Sequence, residues 1–272
     1  MTDTSANLPD LDTLTDIVVP LARTELLDRF GDTDFRYKGD RSLVTEADCG
    51  MQDQLQSALS ERWPTIAFLA EEMPTDRQRQ LLDRDGGMLW CLDPLDGTRN
   101  FAHGIPYFAV SLALLAGGAP VLGLVYDPVR DECFTARKDG GARLNGRALP
   151  TSTSAAPPLA DCLALVDLKR LTPALAGRIA ATHPFGSQRS FGAVALDWCW
   201  IACGRGHVYL HGGQRLWDYA AGYLILDECA GHCVTLDGDA VFSADLAPRS
   251  VAAALDRNLF ESWTRWLGIP GY

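Results

Sequence analysis

The densest chemistry in the chain lies in one short segment, Leu92-Asp93-Pro94-Leu95-Asp96-Gly97-Thr98-Arg99-Asn100-Phe101, which begins where the apolar run MLWCL ends. Asp93 and Asp96 flank Pro94-Leu95. The fixed φ of proline favours a tight turn there, so both carboxylates can point to one side. Gly97 and Thr98 then open a short helix, whose first N–H groups lack intrahelical partners and can face an anion. Two hard oxygen ligands beside phosphate-binding N–H groups suit a magnesium-dependent phosphoryl site. The segment is equally compatible with a solvated turn in which aspartate caps a helix. A D-x-D-G-T loop with a covalent aspartyl nucleophile fits poorly, because the spacing here is D-x-x-D.

Three other acidic positions could join it. Glu71-Glu72 ends the apolar run TIAFLA, 65–70, and ligands commonly collect at the carboxyl ends of strands; two solubilising acids are the plainer alternative. Asp218 lies in Trp217-Asp218-Tyr219-Ala220-Ala221-Gly222, where a helix should begin and small residues allow close backbone approach, although an ordinary N-cap explains it too. Asp48 closes VTEAD, 44–48, in which Thr45-x-x-Asp48 resembles a capping box with Asp in place of Glu.

These residues need elements to position them. Leu11, Leu14, Ile17, Val18 and Leu21 repeat at helical spacing, giving a helix over about 9–30. The polar loop GDTDFRYKGDRS follows, then a helix from Thr45 to about Arg62. Short apolar strands are expected at 65–70 and 88–92, separated by the charged stretch PTDRQRQLLDRDGG. A meander follows over 108–118, 119–128 and 131–146, punctuated by Gly-Gly, Asp-Pro and Asn-Gly turns. Further on, strands are expected at 162–167, 207–210 and 232–236, and helices near 172–182, 194–204, 218–230 and 256–267. This is a mixed α/β (α+β) layered pattern. The Pro-, Ser-, Thr- and Ala-rich stretch at 149–160 reads as a linker. It divides an N-terminal part, 1–150, carrying most candidate ligands, from a C-terminal part, 151–272, carrying Asp218.

Composition narrows the class. Of 272 residues, 47% are apolar and 22% charged, enough for a real core and against dominant disorder. A formal charge of −11 disfavours nucleic-acid wrapping but not a phosphate ligand, because bound divalent cations invert the sign of an acidic pocket. The acidic, polar N-terminus lacks a basic and apolar leader, and no run is long enough to span a bilayer. Eight scattered cysteines are then expected as reduced thiols in the cytoplasm.

Taken together and in this order, V-T-E-A-D (44–48), A-E-E (70–72), D-P-L-D-G-T-R-N-F (93–101), S-F-G-A-V-A-L-D (190–197) and W-D-Y-A-A-G (217–222) resemble the inositol monophosphatase family of metal-dependent, lithium-sensitive phosphatases. The resemblance spans about residues 38–233. It implies the layered αβαβα sugar-phosphatase fold and hydrolysis of a small phosphate ester without a phosphoenzyme. It implies that Glu71, Asp93 and the Leu95 carbonyl hold one Mg²⁺, that Asp93, Asp96 and Asp218 hold a second, and that a weaker third lies near Glu71. Backbone N–H groups of Gly97 and Thr98 would bind phosphate, and Thr98 paired with Asp48 would orient and deprotonate the attacking water, with Glu71 also catalytic. A homodimer acting on a small phosphorylated substrate, with no nucleic-acid or membrane partner, belongs to the same picture. So large a barrier, on the order of 20 kcal/mol of stabilisation or more, is what cations at a phosphoryl group supply by acidifying water and neutralising charge.

Departures bear on the substrate. Ala70 stands where the family usually has Gly. Seven residues before Asp218, where inositol-specific members carry Glu, this chain has His211. Gly192, Ala193, His211 and Arg189 are the candidate substrate contacts, Arg189 reaching either substrate or a dimer partner. D-G-T-R-N-F looks like the inositol and sugar branch; nucleotide 3′-phosphates, fructose bisphosphate and histidinol phosphate are the alternatives. A non-catalytic regulatory binding protein is the reading from another class, since one bacterial relative works with the transcription machinery. Cys199-x₃-Cys203 and Cys229-x₃-Cys233 with His232 could form a zinc site but read better as core thiols. Lys38 could approach the acidic cluster, and Trp198 and Trp200 read as packing residues.

Overall fold

The computed structural model describes residues 8–31, 35–37, 39, 43–84, 86–151 and 156–272. Helix α1 (Leu11–Glu25) is capped by Asp10, whose Oδ1 accepts from Thr13 N at 2.7 Å, and it buries Leu14, Val18 and Ala22 on one stripe. It stops short of the expected residue 30, where a separate 3₁₀ turn covers Leu27–Arg29. A two-stranded antiparallel ribbon, β1 (Phe35–Tyr37) and β2 (Leu43–Thr45), leads into α2 (Glu46–Arg62), which starts at the expected capping box.

A seven-stranded sheet follows in chain order: β3 (Ala67–Ala70), β4 (Met88–Asp96), β5 (Ala109–Ala116), β6 (Ala119–Asp127), β7 (Glu132–Arg137), β8 (Gly141–Leu144) and β9 (Arg147–Ala148). Only β3 and β4 are parallel; the rest form the expected antiparallel meander. The crossover between β3 and β4 is α3 (Thr75–Leu82), where the sequence suggested a charged connection. Its exposed face hides the helical signal, because only Gln78 and Leu81 are buried. After β4 comes the short α4 (Thr98–Ala102).

The second sheet has five strands in the order β11, β10, β12, β14, β13: β10 (Leu163–Asp167), β11 (Ser187–Arg189), β12 (Val208–Gln214), β13 (His232–Val234) and β14 (Arg249–Ala254). Strand β10 runs parallel to both neighbours, whereas β14 is antiparallel to β12 and β13. Three-alanine β14 has weak strand propensity and escapes sequence reading, yet it sits inside the sheet. The remaining helices are α5 (Pro173–Thr182), α6 (Val194–Ala202), α7 (Leu216–Asp227) and α8 (Arg257–Leu267).

Three apolar clusters define five layers. Leu14, Val18, Met51, Leu55, Trp90, Leu92 and Phe108 join α1 and α2 to one face of the large sheet. Cys91, Ala113, Trp198, Tyr219, Ala221, Tyr209 and Ala253 place α6 and α7 between the two sheets. Ala164, Ile179, Leu210, Ala252 and Trp263 close α5 and α8 on the outer face of the small sheet. The order is αβαβα. The central helices come from the C-terminal part of the chain and rest on strands of the N-terminal part. No helix among the described residues is long and apolar enough to cross a membrane.

Candidate active site

Strand β4 carries the first acids through an irregularity. Trp90 and Leu92 face α1 and α2, and Cys91 faces α6 and α7. Strict alternation would send Asp93 and Asp96 to opposite faces. The pairing of β4 with β5 shifts register between these two residues, at Pro94-Leu95, so a bulge re-aims Asp96. Asp96 Oδ2 then accepts from Ala195 N at the start of α6, at 2.6 Å. Asp93 Oδ1 accepts from Leu95 N at 3.0 Å. Parallel pairing aligns the ends of β3 and β4, and Glu71 N donates to Leu92 O at 3.1 Å, bringing Glu71 beside Asp93. Gln78 of α3 locks that corner, its Nε2 donating to the carbonyls of Ala70 (2.8 Å) and Glu71 (3.1 Å).

Asp218 enters from α7, as its third residue rather than its cap, with Oδ2 accepting from Arg215 N at 2.8 Å. Ser111 of β5, opposite Asp93, donates to the Trp217 carbonyl at 2.9 Å and seats that end of α7 on the sheet. Glu71, Asp93, Leu95, Asp96, Gly97, Thr98 and Asp218 thus line one cavity of about 180 Å³. Gly97 has φ +92°, and a β-carbon there would press on the Tyr107 carbonyl at 3.0 Å. Thr98 Oγ1 lies 3.0 Å from Leu95 O and 3.2 Å from Asp48 Oδ1. Asp48, 1% exposed, is held through Oδ2 by Thr45 N at 2.6 Å and Thr45 Oγ1 at 2.5 Å. Asp48 thus caps α2 through Oδ2 and faces Thr98 through Oδ1.

Burial, then the neighbouring carboxylates of Glu71, Asp96 and Asp218, push Asp93 well above the usual carboxylate range. Burial and the Asp218 charge do the same to Asp96. Asp218 is raised to about 7 by burial and Glu71, and Asp48 to about 7 by burial, against the pull of its Thr45 hydrogen bonds. Such crowding of like charges in low dielectric is relieved by a cation. The donor set is all oxygen, as a hard divalent ion requires. Among the described residues no three acidic, His or Cys side chains stand within closed ligand distance of one another. The fit therefore rests on donor type, shared cavity and mutual repulsion.

The other expected contacts divide. Gly192 and Ala193 line the cavity, held to α4 by Asn100 Nδ2, which donates to Phe191 O at 2.7 Å. His211 also lines it, but is buried and already engaged: Nδ1 accepts from Gly213 N at 3.1 Å, and Nε2 faces Asp167 Oδ2 at 3.5 Å. Arg189 points elsewhere, donating to Ser187 Oγ and its neighbour's carbonyl, both at 2.7 Å, and does not line the cavity. Lys38 lies outside the described residues. Cys199 and Cys229 are buried between the sheets with Cys203 and Cys233 packed against the same core. Trp198 is core, donating to Gln214 Oε1 at 2.9 Å. The guanidiniums of Arg130 and Arg205 both lie against the Trp200 ring. Sequence reading missed Arg99, Asp167, Lys169, Arg170 and Asp197, all lining the cavity. Asp167 ends a strand, a signal of the same kind that singled out Glu71.

A family model described as the inositol monophosphatase family matches residues 10–265. Inositol monophosphatase 1 of Solanum lycopersicum is 35% identical over 243 residues, covering 87% of this chain and 86% of that protein. Nus factor SuhB of Pasteurella multocida (strain Pm70) is 30% identical over 214 residues, 78% of each chain. Among solved structures, the extragenic suppressor protein suhB from Bartonella henselae superposes with a TM-score of 0.79 at 29% identity, covering 96% of this chain and 100% of that one.

Proposed function

Because this chain belongs to the inositol monophosphatase family and is a phosphatase of that type, we propose that it hydrolyses a small polyol or sugar phosphate in a Mg²⁺-dependent reaction, with water as nucleophile and no phosphoenzyme. The observation that carries this reading is the convergence of Glu71, Asp93, Asp96 and Asp218, from the residue after β3, from β4 and from α7, on one cavity beside the Thr98–Asp48 pair. These four carboxylates and the Leu95 carbonyl would hold two Mg²⁺ ions, with a weaker third near Glu71. Bound Mg²⁺ neutralises phosphoryl charge and lowers the pKa of water.

The rest is done by the chain. Gly97 and Thr98 present backbone N–H groups to the phosphate oxygens. The Thr98 hydroxyl, hydrogen-bonded to Asp48, orients water for in-line attack and takes the water's proton as its own passes to Asp48 Oδ1. A carboxylate raised to about 7 suits a base at neutral pH. Glu71, on the neighbouring strand end, would help hold the same water. Gly192 and Ala193 leave backbone space for the leaving alcohol.

Phosphate release from a panel of monoesters, with Mg²⁺ and with chelator, tests the reading. Activity should require the ion and be inhibited by Li⁺. Asp93→Asn should cost roughly a hundredfold or more with an unchanged circular dichroism spectrum; full activity of that variant overturns the assignment. The panel includes nucleotide 3′-phosphates, fructose bisphosphate and histidinol phosphate, because His211 replaces the glutamate of inositol-specific members. A homodimer in the cytoplasm belongs to this reading and is checked by sedimentation and localisation. The likeness to a Nus factor supports a second reading, a regulatory binding role. A stoichiometric partner recovered from lysate by a chain without phosphatase activity would favour it.

A further inference from the structure

The wall facing the carboxylates is built by the 3₁₀ turn that follows β10, Leu168–Arg170. Four contacts fix it. Asp167 Oδ1 accepts from Lys169 N at 3.2 Å. Asp167 Oδ2 faces His211 Nε2 at 3.5 Å and Lys169 Nζ at 3.4 Å. Gly212 lies so close beneath that a β-carbon on it would overlap the Arg170 carbonyl oxygen. His211 is thus committed to the wall, and the wall turns two cations toward the cavity.

Those cations differ. Lys169 is paired with Asp167. Arg170 is exposed and lines the cavity, and its guanidinium has no hydrogen bond or ion pair among the described residues. It also borders an adjoining cavity of about 480 Å³ that shares Glu71 and Asp218. Its charge reaches Asp218, whose carboxyl it pulls downward against the stronger effects of burial and Glu71. The two cavities together give a leaving group somewhere to extend, and Arg170 stands where it would pass.

We infer that Arg170, seconded by Lys169, selects phosphate monoesters whose leaving alcohol carries a second anionic group, a carboxylate or another phosphate, over those with a neutral polyol. A neutral alcohol makes no use of an unpaired guanidinium at this position. A carboxylate or phosphate oxygen pair matches its planar fork. The inference deepens the proposed function and rests on it.

Two matched pairs of substrates test it and separate the anion types: glycerol 2-phosphate against 2-phosphoglycerate, and fructose 1-phosphate against fructose 1,6-bisphosphate. With Mg²⁺ present, the anion-bearing member of at least one pair should have the lower KM. Arg170→Ala should raise that KM roughly tenfold or more and leave its kcat within about threefold, while kcat/KM for the neutral partner falls far less. Arg170→Lys should recover only part of the loss, because charge returns without the fork. Calorimetric titration of 2-phosphoglycerate into the Mg²⁺-loaded Asp48→Asn protein, with and without Arg170→Ala, reads the same contact without turnover. Equal losses on both members of each pair would mean general steering of phosphate and would overturn the inference while leaving the phosphatase reading intact. Hydrolysis of none of the four esters would sink the proposed substrate class and the inference with it.

Discussion

Asp48 and Asp197 show how one residue type serves opposite ends in this molecule. As a proton acceptor Asp48 must be ionised, and burial raises it to about 7. Activity should therefore climb as pH rises through about 7, and Asp48→Asn should lower kcat and flatten that limb of the profile; a profile unchanged by the substitution removes Asp48 from the reaction. Asp197, in α6, accepts a hydrogen bond from Tyr107 Oη at 3.1 Å and is raised by burial to about 8. A carboxyl raised in the folded state favours folding while protonated, so this stability is complete below about pH 4 and is lost as pH rises through about 8. The slope is about 1.4 kcal/mol per pH unit inside that window. Asp197→Asn should thus raise Tm at pH 8 and change it little at pH 4, as calorimetry at the two values would show. Glu71, Asp93, Asp96 and Asp218 were legible in the sequence because they sit in short, dense motifs. Asp167, Lys169 and Arg170 were not, because Asp-Leu-Lys-Arg reads as an ordinary solvated run until β10 pairs with β12 and sets Asp167 opposite His211.

At the scale of elements, position comes from contacts between neighbours. The turn after β10 rests on β12 at a glycine, and Gly212→Ala must push the Arg170 carbonyl away or bend the strand. Overpacking of this kind typically costs about 1–3 kcal/mol, which urea unfolding would read as a lower midpoint at unchanged slope; a neutral result would mean the turn yields freely. Pattern reading found α2 and α8, each with one buried apolar stripe, and β5, β6 and α7, which are buried almost throughout and read as continuous apolar runs. It failed for α3, whose buried side is only Gln78 and Leu81, and for β14, whose alanines favour no strand but fill the space between β12 and β13. Both failures have one cause: the tertiary neighbour, rather than local preference, decides the conformation.

For the whole molecule, the site spans chain segments far apart. Glu71, Asp93 and Asp96 come from the large sheet, and Asp218 from a helix of the layer that both sheets share. A cation held by all four would be bound by the folded chain and not by the unfolded one. Mg²⁺ should therefore raise Tm, by about 2.7 kcal/mol of added stability at a hundred times its Kd, and chelator should reverse the shift; Asp218→Asn should shrink it. The family and the layer order were legible because motifs from both ends of this arrangement survive intact in the chain. The strand order of the smaller sheet was not, since β14 passes between β12 and β13 with no trace of that insertion in local pattern. The bulge at Pro94-Leu95 carries a last consequence. An engineer regularising this backbone toward an ideal strand would restore strict inside–outside alternation and turn one of its two carboxylates into the greasy compartment of Phe101 and Phe108. Here the flaw in the pleat is the functional part, and a tidier sheet would be a poorer catalyst.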